Sequence, residues 1–167
     1  MKIGLIDVDG HSGFPNYALM RLSSWHKQRG DSVEWYSPMF SGHMDRVYMS
    51  KVFTFTDDFQ YYVDADEIVK GGTGYKDYTS VLPEEAEHIF PDYSIYPNCD
   101  YAIGFLTRGC IRNCPWCVVP VKEGRLRPYD TWDHIKRPDS KRILFMDNNV
   151  LASDHGIAQI EQLGGPM

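Results

Sequence analysis

The chain is organised around the stretch Gly104-Phe105-Leu106-Thr107-Arg108-Gly109-Cys110-Ile111-Arg112-Asn113-Cys114-Pro115-Trp116-Cys117. Three of its four cysteines fall here, with the spacing Cys-x3-Cys-x2-Cys. A thiolate is a soft ligand that suits iron–sulfur clusters, zinc and Cu(I). Three thiolates on one short loop can hold three corners of a cubane cluster, which leaves the fourth iron open to a substrate. The stretch therefore indicates a metal-binding loop that carries Cys110, Cys114 and Cys117.

Zinc is the main alternative to an iron–sulfur cluster as the metal centre of this loop. Structural zinc usually has four ligands, often as two separated pairs, whereas this loop is one compact triplet. Cys99 or a histidine would then have to complete the tetrahedron. A disulfide is disfavoured, because the N-terminus leads straight into a strand-like run instead of a secretory signal. No apolar run approaches the length of a membrane span, so we expect a cytoplasmic protein without a membrane partner.

The cysteine spacing, with an aromatic residue just before the last cysteine, resembles the radical S-adenosylmethionine (SAM) superfamily. The resemblance implies a [4Fe-4S] cluster on Cys110, Cys114 and Cys117. It also implies that SAM chelates the open iron through its amino and carboxylate groups. An electron from the cluster would split SAM into methionine and a 5′-deoxyadenosyl radical, which abstracts a hydrogen atom. A reductant protein is then an expected partner.

The N-terminal part of the chain predicts a parallel α/β arrangement. Residues Lys2–Val8 form a strand-like run, and Asn16 is a candidate N-cap for a helix that Gly30 ends. A second strand is predicted at Val33–Tyr36. This strand–turn–helix–strand order implies a parallel, right-handed crossover. Further strands are predicted at residues 45–50 and 67–70, with a short helix at residues 84–89.

This part resembles the Rossmann-like domain that precedes the radical domain in the cobalamin-binding and methylthiotransferase branches of the superfamily. Asp9-Gly10-His11 is similar to the start of the cobalamin signature, but Phe14 stands where that signature has Gly. We therefore expect no cobalamin on His11. The glycine-rich turn at residues 71–74 lacks the full dinucleotide fingerprint, so both a nucleotide contact and a plain tight turn are open.

The segment after the cysteines continues the resemblance. Val118-Val119-Pro120 and Gly124-Arg125 are similar to methylthiotransferases, and residues 129–135 predict a short helix. The strand predicted at Arg142–Met146 ends in Asp147-Asn148-Asn149, and functional groups of a parallel barrel gather at such strand ends. The resemblance implies that Asp147 and Asn148 contact the SAM amino group and that the Trp116 backbone lines the adenine pocket. The alternative for Asp147 is a capping turn before the next helix, predicted at residues 156–163.

The predicted fold class is α/β, with two domains. Residues 1–98 form a Rossmann-like domain with its linker, and residues 99–167 form the N-terminal part of a radical SAM domain. The second domain reaches only the second strand–helix unit of a partial TIM-type barrel. We therefore expect a fragment, a truncated product, or a protein that completes its barrel with another chain. An incomplete barrel predicts self-association and low activity of the chain alone.

Charge is distributed unevenly along the chain, whose formal net charge is −6. Residues 108–142 carry nine Lys and Arg against four Asp and Glu. A positive patch around the cysteine loop would attract the SAM carboxylate, a phosphate or a nucleic acid. The same segment is also compatible with an ordinary solvated surface.

The sequence is compatible with two functions from different classes. The first is a radical SAM enzyme, or part of one, whose substrate is a tRNA, a peptide or a small molecule. The second is a non-catalytic small α/β binding module whose cysteines hold structural zinc or a structural cluster.

Overall fold

A four-stranded parallel β-sheet forms the centre of the first of two compact units, Met1–Cys99; the second unit begins at Asp100. The structure is a computed structural model, and it describes residues 1–10 and 13–163. The sheet contains the strands β1 (Lys2–Asp7), β2 (Ser32–Trp35), β3 (Met44–Ser50) and β4 (Ala65–Gly71). Its order is β2-β1-β3-β4, and every neighbouring pair is parallel. The predicted parallel α/β arrangement is confirmed for this unit.

Strand β1 is the central element of the sheet. It pairs with β2 on one side and with β3 on the other, and Ile3 and Leu5 are almost completely buried. The chain passes from β2 back across β1 to β3, so the strand order reverses between β1 and β3. In open parallel sheets such a reversal leaves a crevice outside the carboxyl ends of the strands.

Helix α1 (Tyr17–Gln28) covers one face of the sheet. The predicted N-cap is confirmed, because the Asn16 side chain accepts a hydrogen bond from the backbone N–H of Leu19 at 3.3 Å. The Asn16 amide also donates to the Ser50 hydroxyl at 2.8 Å, which ties the start of α1 to the end of β3. Leu19 and Leu22 then pack with Ile3, Leu5 and Tyr48 in one hydrophobic cluster.

The opposite face of the sheet has its own hydrophobic cluster. Its buried members are Ile6, Val8, Tyr36, Met44, Val47 and Met49. Because both faces of the sheet are covered, β1 is a nearly continuous apolar run, as buried parallel strands usually are.

The glycine-rich turn after β4 packs against a neighbouring backbone. Gly72 has φ of +102°, and a Cβ atom there would lie 2.2 Å from the carbonyl oxygen of Lys51. The Gly74 N–H donates to the same carbonyl at 2.9 Å. The close approach that these glycines permit is therefore to Lys51, which accounts for them as a tight turn.

The second unit contains two small sheets. Strands β5 (Ala102–Gly104) and β8 (Ile143–Phe145) are parallel, whereas β6 (Thr107–Arg108) and β7 (Arg127–Pro128) are antiparallel. Within residues 1–10 and 13–163 there are four further α-helices: α2 (Glu84–Glu87) in the first unit, and α3 (Val119–Lys122), α4 (Trp132–Ile135) and α5 (Asp154–Leu163) in the second.

Several predicted bounds differ from the observed ones. The helix expected at residues 129–135 begins only at Trp132, because the N–H groups of Tyr129 and Asp130 donate to the Leu106 carbonyl at 3.0 and 3.3 Å. The helix expected from Gly156 begins at Asp154, and the one expected at residues 84–89 ends at Glu87. The antiparallel β6–β7 pair was not predicted at all. Among the helices that the structure describes, none is long and apolar enough to cross a membrane.

We expect the Asn16 contacts to stabilise the first unit measurably. Asn16→Ala removes the helix cap and the hydrogen bond to Ser50, and it should lower the free energy of unfolding by about 1–2 kcal/mol. Urea unfolding measures this loss. Ser50→Ala is the matched control, because it removes only the serine hydroxyl and keeps the cap. Equal effects of the two substitutions would show that the cap contributes nothing.

Candidate functional site

The three predicted ligand cysteines lie on one loop between β6 and α3. Cys110, Cys114 and Cys117 are half-buried, and none forms a disulfide. The loop is turned locally, since the Cys117 N–H donates to the Cys114 carbonyl at 3.1 Å. The Arg112 N–H lies 3.5 Å from the Cys110 sulfur. Cys99, the fourth cysteine, is buried in the first unit.

The thiols match a metal centre in donor type but are not gathered into one. Over residues 1–10 and 13–163, no group of three or more His, Cys, Asp or Glu side chains is positioned to hold a metal. Three free thiols within eight residues are the donors that an iron–sulfur cluster or zinc requires. Ligation by all three would therefore require the side chains of the loop to reorient.

Gly109 fixes the entry into the cysteine loop. Its φ is +81°, and a Cβ atom at this position would lie 2.3 Å from the carbonyl oxygen of Arg125. The next residue, Cys110, donates its N–H to the Gly124 carbonyl at 3.3 Å. A side chain at Gly109 would separate these two segments, because left-handed backbone in close contact admits only glycine readily.

Glu123 is a site residue that the sequence did not reveal. One carboxylate oxygen accepts from the Gly109 N–H and from the Asn148 amide, each at 3.0 Å. The other oxygen pairs with Arg108 at 3.1 Å, and only 13% of the Glu123 side chain is exposed. Glu123 therefore joins the start of the cysteine loop to the segment after β8. These contacts span up to 25 residues, so no local sequence pattern signals them.

Asp147 occupies the predicted position at the carboxyl end of β8. Its carboxylate accepts three hydrogen bonds from Leu106 and Thr107. One oxygen accepts from the Leu106 N–H at 3.1 Å. The other accepts from the N–H and the hydroxyl of Thr107 at 2.5 and 2.6 Å. A carboxylate has about four lone-pair sites, of which three are used here. Asp147 therefore fastens the end of β8 to the strand that leads into the cysteine loop.

The other two predicted SAM contacts are exposed. Trp116 has 87% of its surface accessible, and the Asn148 side chain is exposed with its amide held by Glu123. The structure thus brings Asn148 toward the cysteine-loop entry through Glu123. For Trp116 it shows a ring at the surface, while the proposed contact would come from its backbone.

Two basic residues, Arg108 and Lys122, lie next to Glu123. The Arg108 guanidinium stacks over the Phe105 ring at 4.1 Å and lies 5.6 Å from the Tyr129 ring. Burial and the neighbouring Arg108 charge lower the pKa of Lys122. Glu123 thus balances the charge of Arg108, and the charged form of Lys122 is disfavoured. The positive charge in excess at the start of the cysteine loop comes from Arg112, which lies within the loop, and from Arg125, which is paired with Cys110 in a β-bridge.

Three other basic side chains of the segment 108–142 form ion pairs with nearby carboxylates. Lys136, Arg137 and Arg142 pair with Asp133, Asp139 and Asp100 at 2.6 to 3.0 Å. The carboxylate of each pair is exposed, so the pairs have little energetic weight, but they reduce the net charge of the outer part of the segment. The excess positive charge predicted from the sequence is therefore concentrated near the cysteine loop.

In the first unit, the residue considered for cobalamin, His11, lies outside the described residues. Asp9, two positions earlier, accepts hydrogen bonds from the Val52 N–H and the Thr56 hydroxyl, both at 2.5 Å. Asp9 is thus part of the connection between the loops after β1 and β3.

Comparison with known proteins identifies no relative. No protein-family model, no curated protein and no solved structure matches this chain.

We expect loss of the Asp147 charge to loosen the start of the cysteine loop. Asp147→Asn replaces an acceptor-only carboxylate by an amide whose NH₂ group would face N–H donors. Hydrogen bonds to charged groups contribute about 1.5–3 kcal/mol, so exchange of the Thr107 amide proton should accelerate by at least about tenfold. Hydrogen exchange followed by NMR measures this directly. Asp154→Asn, at an exposed carboxylate of α5, is the control, and equal exchange at Thr107 in both variants would contradict the assignment.

Proposed function

We propose that this chain is an iron–sulfur protein of the radical SAM type, or part of such an enzyme. Cys110, Cys114 and Cys117 would hold a [4Fe-4S] cluster with one open iron, and SAM would bind there. The observation that carries the proposal is the set of three disulfide-free thiols on one loop between β6 and α3. The donor chemistry fits, although the loop must reorient to bring all three sulfurs onto one cluster.

The parallel β5–β8 pair supports this proposal. The cysteine-bearing segment follows β5, and Asp147-Asn148 follows β8. Because parallel strands have their carboxyl ends at the same edge of a sheet, the two segments share that edge. We propose that this pair is the first part of a partial TIM-type barrel, and that the first unit, with strand order β2-β1-β3-β4, is Rossmann-like.

Residues of the chain would prepare the loop for a cluster and a ligand. When bound, a cluster of this kind supplies the electron for reductive cleavage of SAM. Gly109 and Glu123 set the direction in which the loop leaves β6, and Asp147 holds that strand to β8. The Asn148 amide nitrogen is held by Glu123, which leaves its amide oxygen to accept from a ligand ammonium. The positive charge of Arg112 and Arg125 at the cysteine loop would favour an anionic group, such as the SAM carboxylate.

A non-catalytic metal-binding module is the second candidate. It is favoured by the Asp147 carboxylate, which already accepts three hydrogen bonds from the chain and has little capacity left for SAM. In this case Cys110, Cys114 and Cys117 would hold a structural zinc or cluster, and zinc would take a further side chain as its fourth ligand. The chain would then be a small α/β binding module without radical chemistry.

Substitution of single cysteines separates the two candidates. After anaerobic reconstitution with iron and sulfide, Cys114→Ala should abolish the visible iron–sulfur absorbance, because it removes one of three protein bonds to the cluster. Cys99→Ala is the matched control and should retain most of the absorbance. If Cys99→Ala bleached the protein and Cys114→Ala did not, the cluster would not be on the predicted triplet and the radical SAM proposal would fail.

A further inference from the structure

A large cavity lies in the first unit, away from the cysteine loop in the sequence. Its volume is about 980 Å³, at the upper end of the range of about 300–1,000 Å³ that is usual for small-molecule sites. Asp7 and Val8 line it from the end of β1, Trp35 and Tyr36 from the end of β2, and residues 55–61 from the segment after β3.

The position of this cavity in the sheet is one at which ligands bind. Strands β1, β2 and β3 are parallel, and the strand order reverses between β1 and β3. Ligands of open parallel sheets bind outside the carboxyl ends of the strands near such a reversal. The cavity lies at this edge, because its walls are the last residues of β1 and β2 and the loops that follow.

The walls of the cavity are rich in aromatic side chains: Trp35, Tyr36, Phe55, Phe59, Tyr61 and Tyr96. Two of them are held in a fixed arrangement, since the Trp35 and Tyr96 rings meet edge to face at 5.3 Å and 77°. The Trp35 indole N–H also donates to the Ile95 carbonyl at 3.2 Å. Trp35 is nevertheless 40% exposed, so its ring remains accessible from solvent. Fixed aromatic rings of this kind present negative faces to a ligand.

All charged side chains among the described lining residues are acidic: Asp7, Asp57 and Asp58. Asp58 is compensated by Lys70 at 2.8 Å and by the Tyr75 hydroxyl at 2.6 Å. Asp57 is exposed and forms no ion pair within the described part of the chain. No Lys, Arg or His belongs to the described lining, so a phosphate or carboxylate would meet only like charge.

Asp7 adds a half-buried carboxyl group at the end of β1. It accepts from the Tyr96 hydroxyl at 2.5 Å and from the Asp9 N–H at 3.2 Å. Burial raises the pKa of Asp7 in spite of these hydrogen bonds. A positive charge in the cavity would therefore offset the cost of keeping this carboxylate ionised.

We propose that this cavity binds a small organic cation that carries an apolar group, such as an alkylated ammonium or sulfonium compound. The aromatic rings would cover the apolar group and face the cation, and Asp57 and Asp7 would supply the opposite charge. A cation over an aromatic face is attracted by the negative face of the ring, and the attraction grows when the cation is desolvated. The described lining residues of this site all belong to the first unit.

The test is an NMR titration of the full chain with three probes that share a phenyl ring and differ in charge: benzyltrimethylammonium, benzyl alcohol and phenyl phosphate. We expect saturable shifts of the Trp35 indole N–H with the cation, weaker binding of the neutral alcohol and no saturable binding of the phosphate. Equal binding of cation and phosphate at Trp35, or no saturable shift with the cation, would overturn the proposal.

Two substitutions locate the site. Asp57→Asn and Trp35→Leu should each weaken binding of benzyltrimethylammonium by about three- to tenfold. Asp66→Asn is the matched control, since Asp66 is an exposed carboxylate of β4 that does not line the cavity. Asp57 is exposed, so its substitution should leave the fold intact even if Trp35→Leu does not. Unchanged affinity in Asp57→Asn, or equal loss in Asp66→Asn, would show that cation binding does not occur here.

Discussion

The second unit depends on the hydrogen bonds that the Asp147 carboxylate accepts from Leu106 and Thr107. Strands β5 and β8 pair over only three residues, so their ladder alone supplies few hydrogen bonds. Asp147 extends this pairing beyond the strand ends with a charged acceptor, and charge-assisted hydrogen bonds are about twice as strong as neutral ones. The cysteine loop begins immediately after this contact, and its direction is then set by Gly109 and Glu123.

The first unit uses polar side chains in the same way at the carboxyl edge of its sheet. Asn16 joins α1 to the end of β3, and Asp9 joins the loops that follow β1 and β3. Both residues are buried, so their hydrogen bonds must be satisfied within the protein. Each polar contact fixes a loop at the edge where parallel sheets bind ligands, and the aromatic, acidic cavity lies at this edge.

The sequence predicted those features that have a local signal. Strand β1 is an apolar run, and α1 has both its cap at Asn16 and its stop at Gly30, so their positions agree closely with the structure. The β6–β7 pair was missed because strands of two residues, one of them ending in proline, have no recognisable pattern. The Glu123 contacts were missed for a related reason: they connect distant segments, and an acidic residue after a short helix looks like ordinary surface. The acid predicted at Asp147 was found at the expected strand end. Its partners are the N–H groups of Leu106 and Thr107 and the Thr107 hydroxyl, which lie 40 or 41 residues away in the sequence and so leave no local pattern.

The cysteine loop remains the basis of the functional account, because it is the feature with the most specific chemistry in the chain. The most direct test is the content of iron, acid-labile sulfide and zinc in the wild-type chain purified without oxygen. A [4Fe-4S] cluster on Cys110, Cys114 and Cys117 predicts a brown protein with iron and sulfide in equal amounts and only trace zinc. A colourless protein that contains stoichiometric zinc and no sulfide would contradict the account and would assign the loop to a structural zinc site.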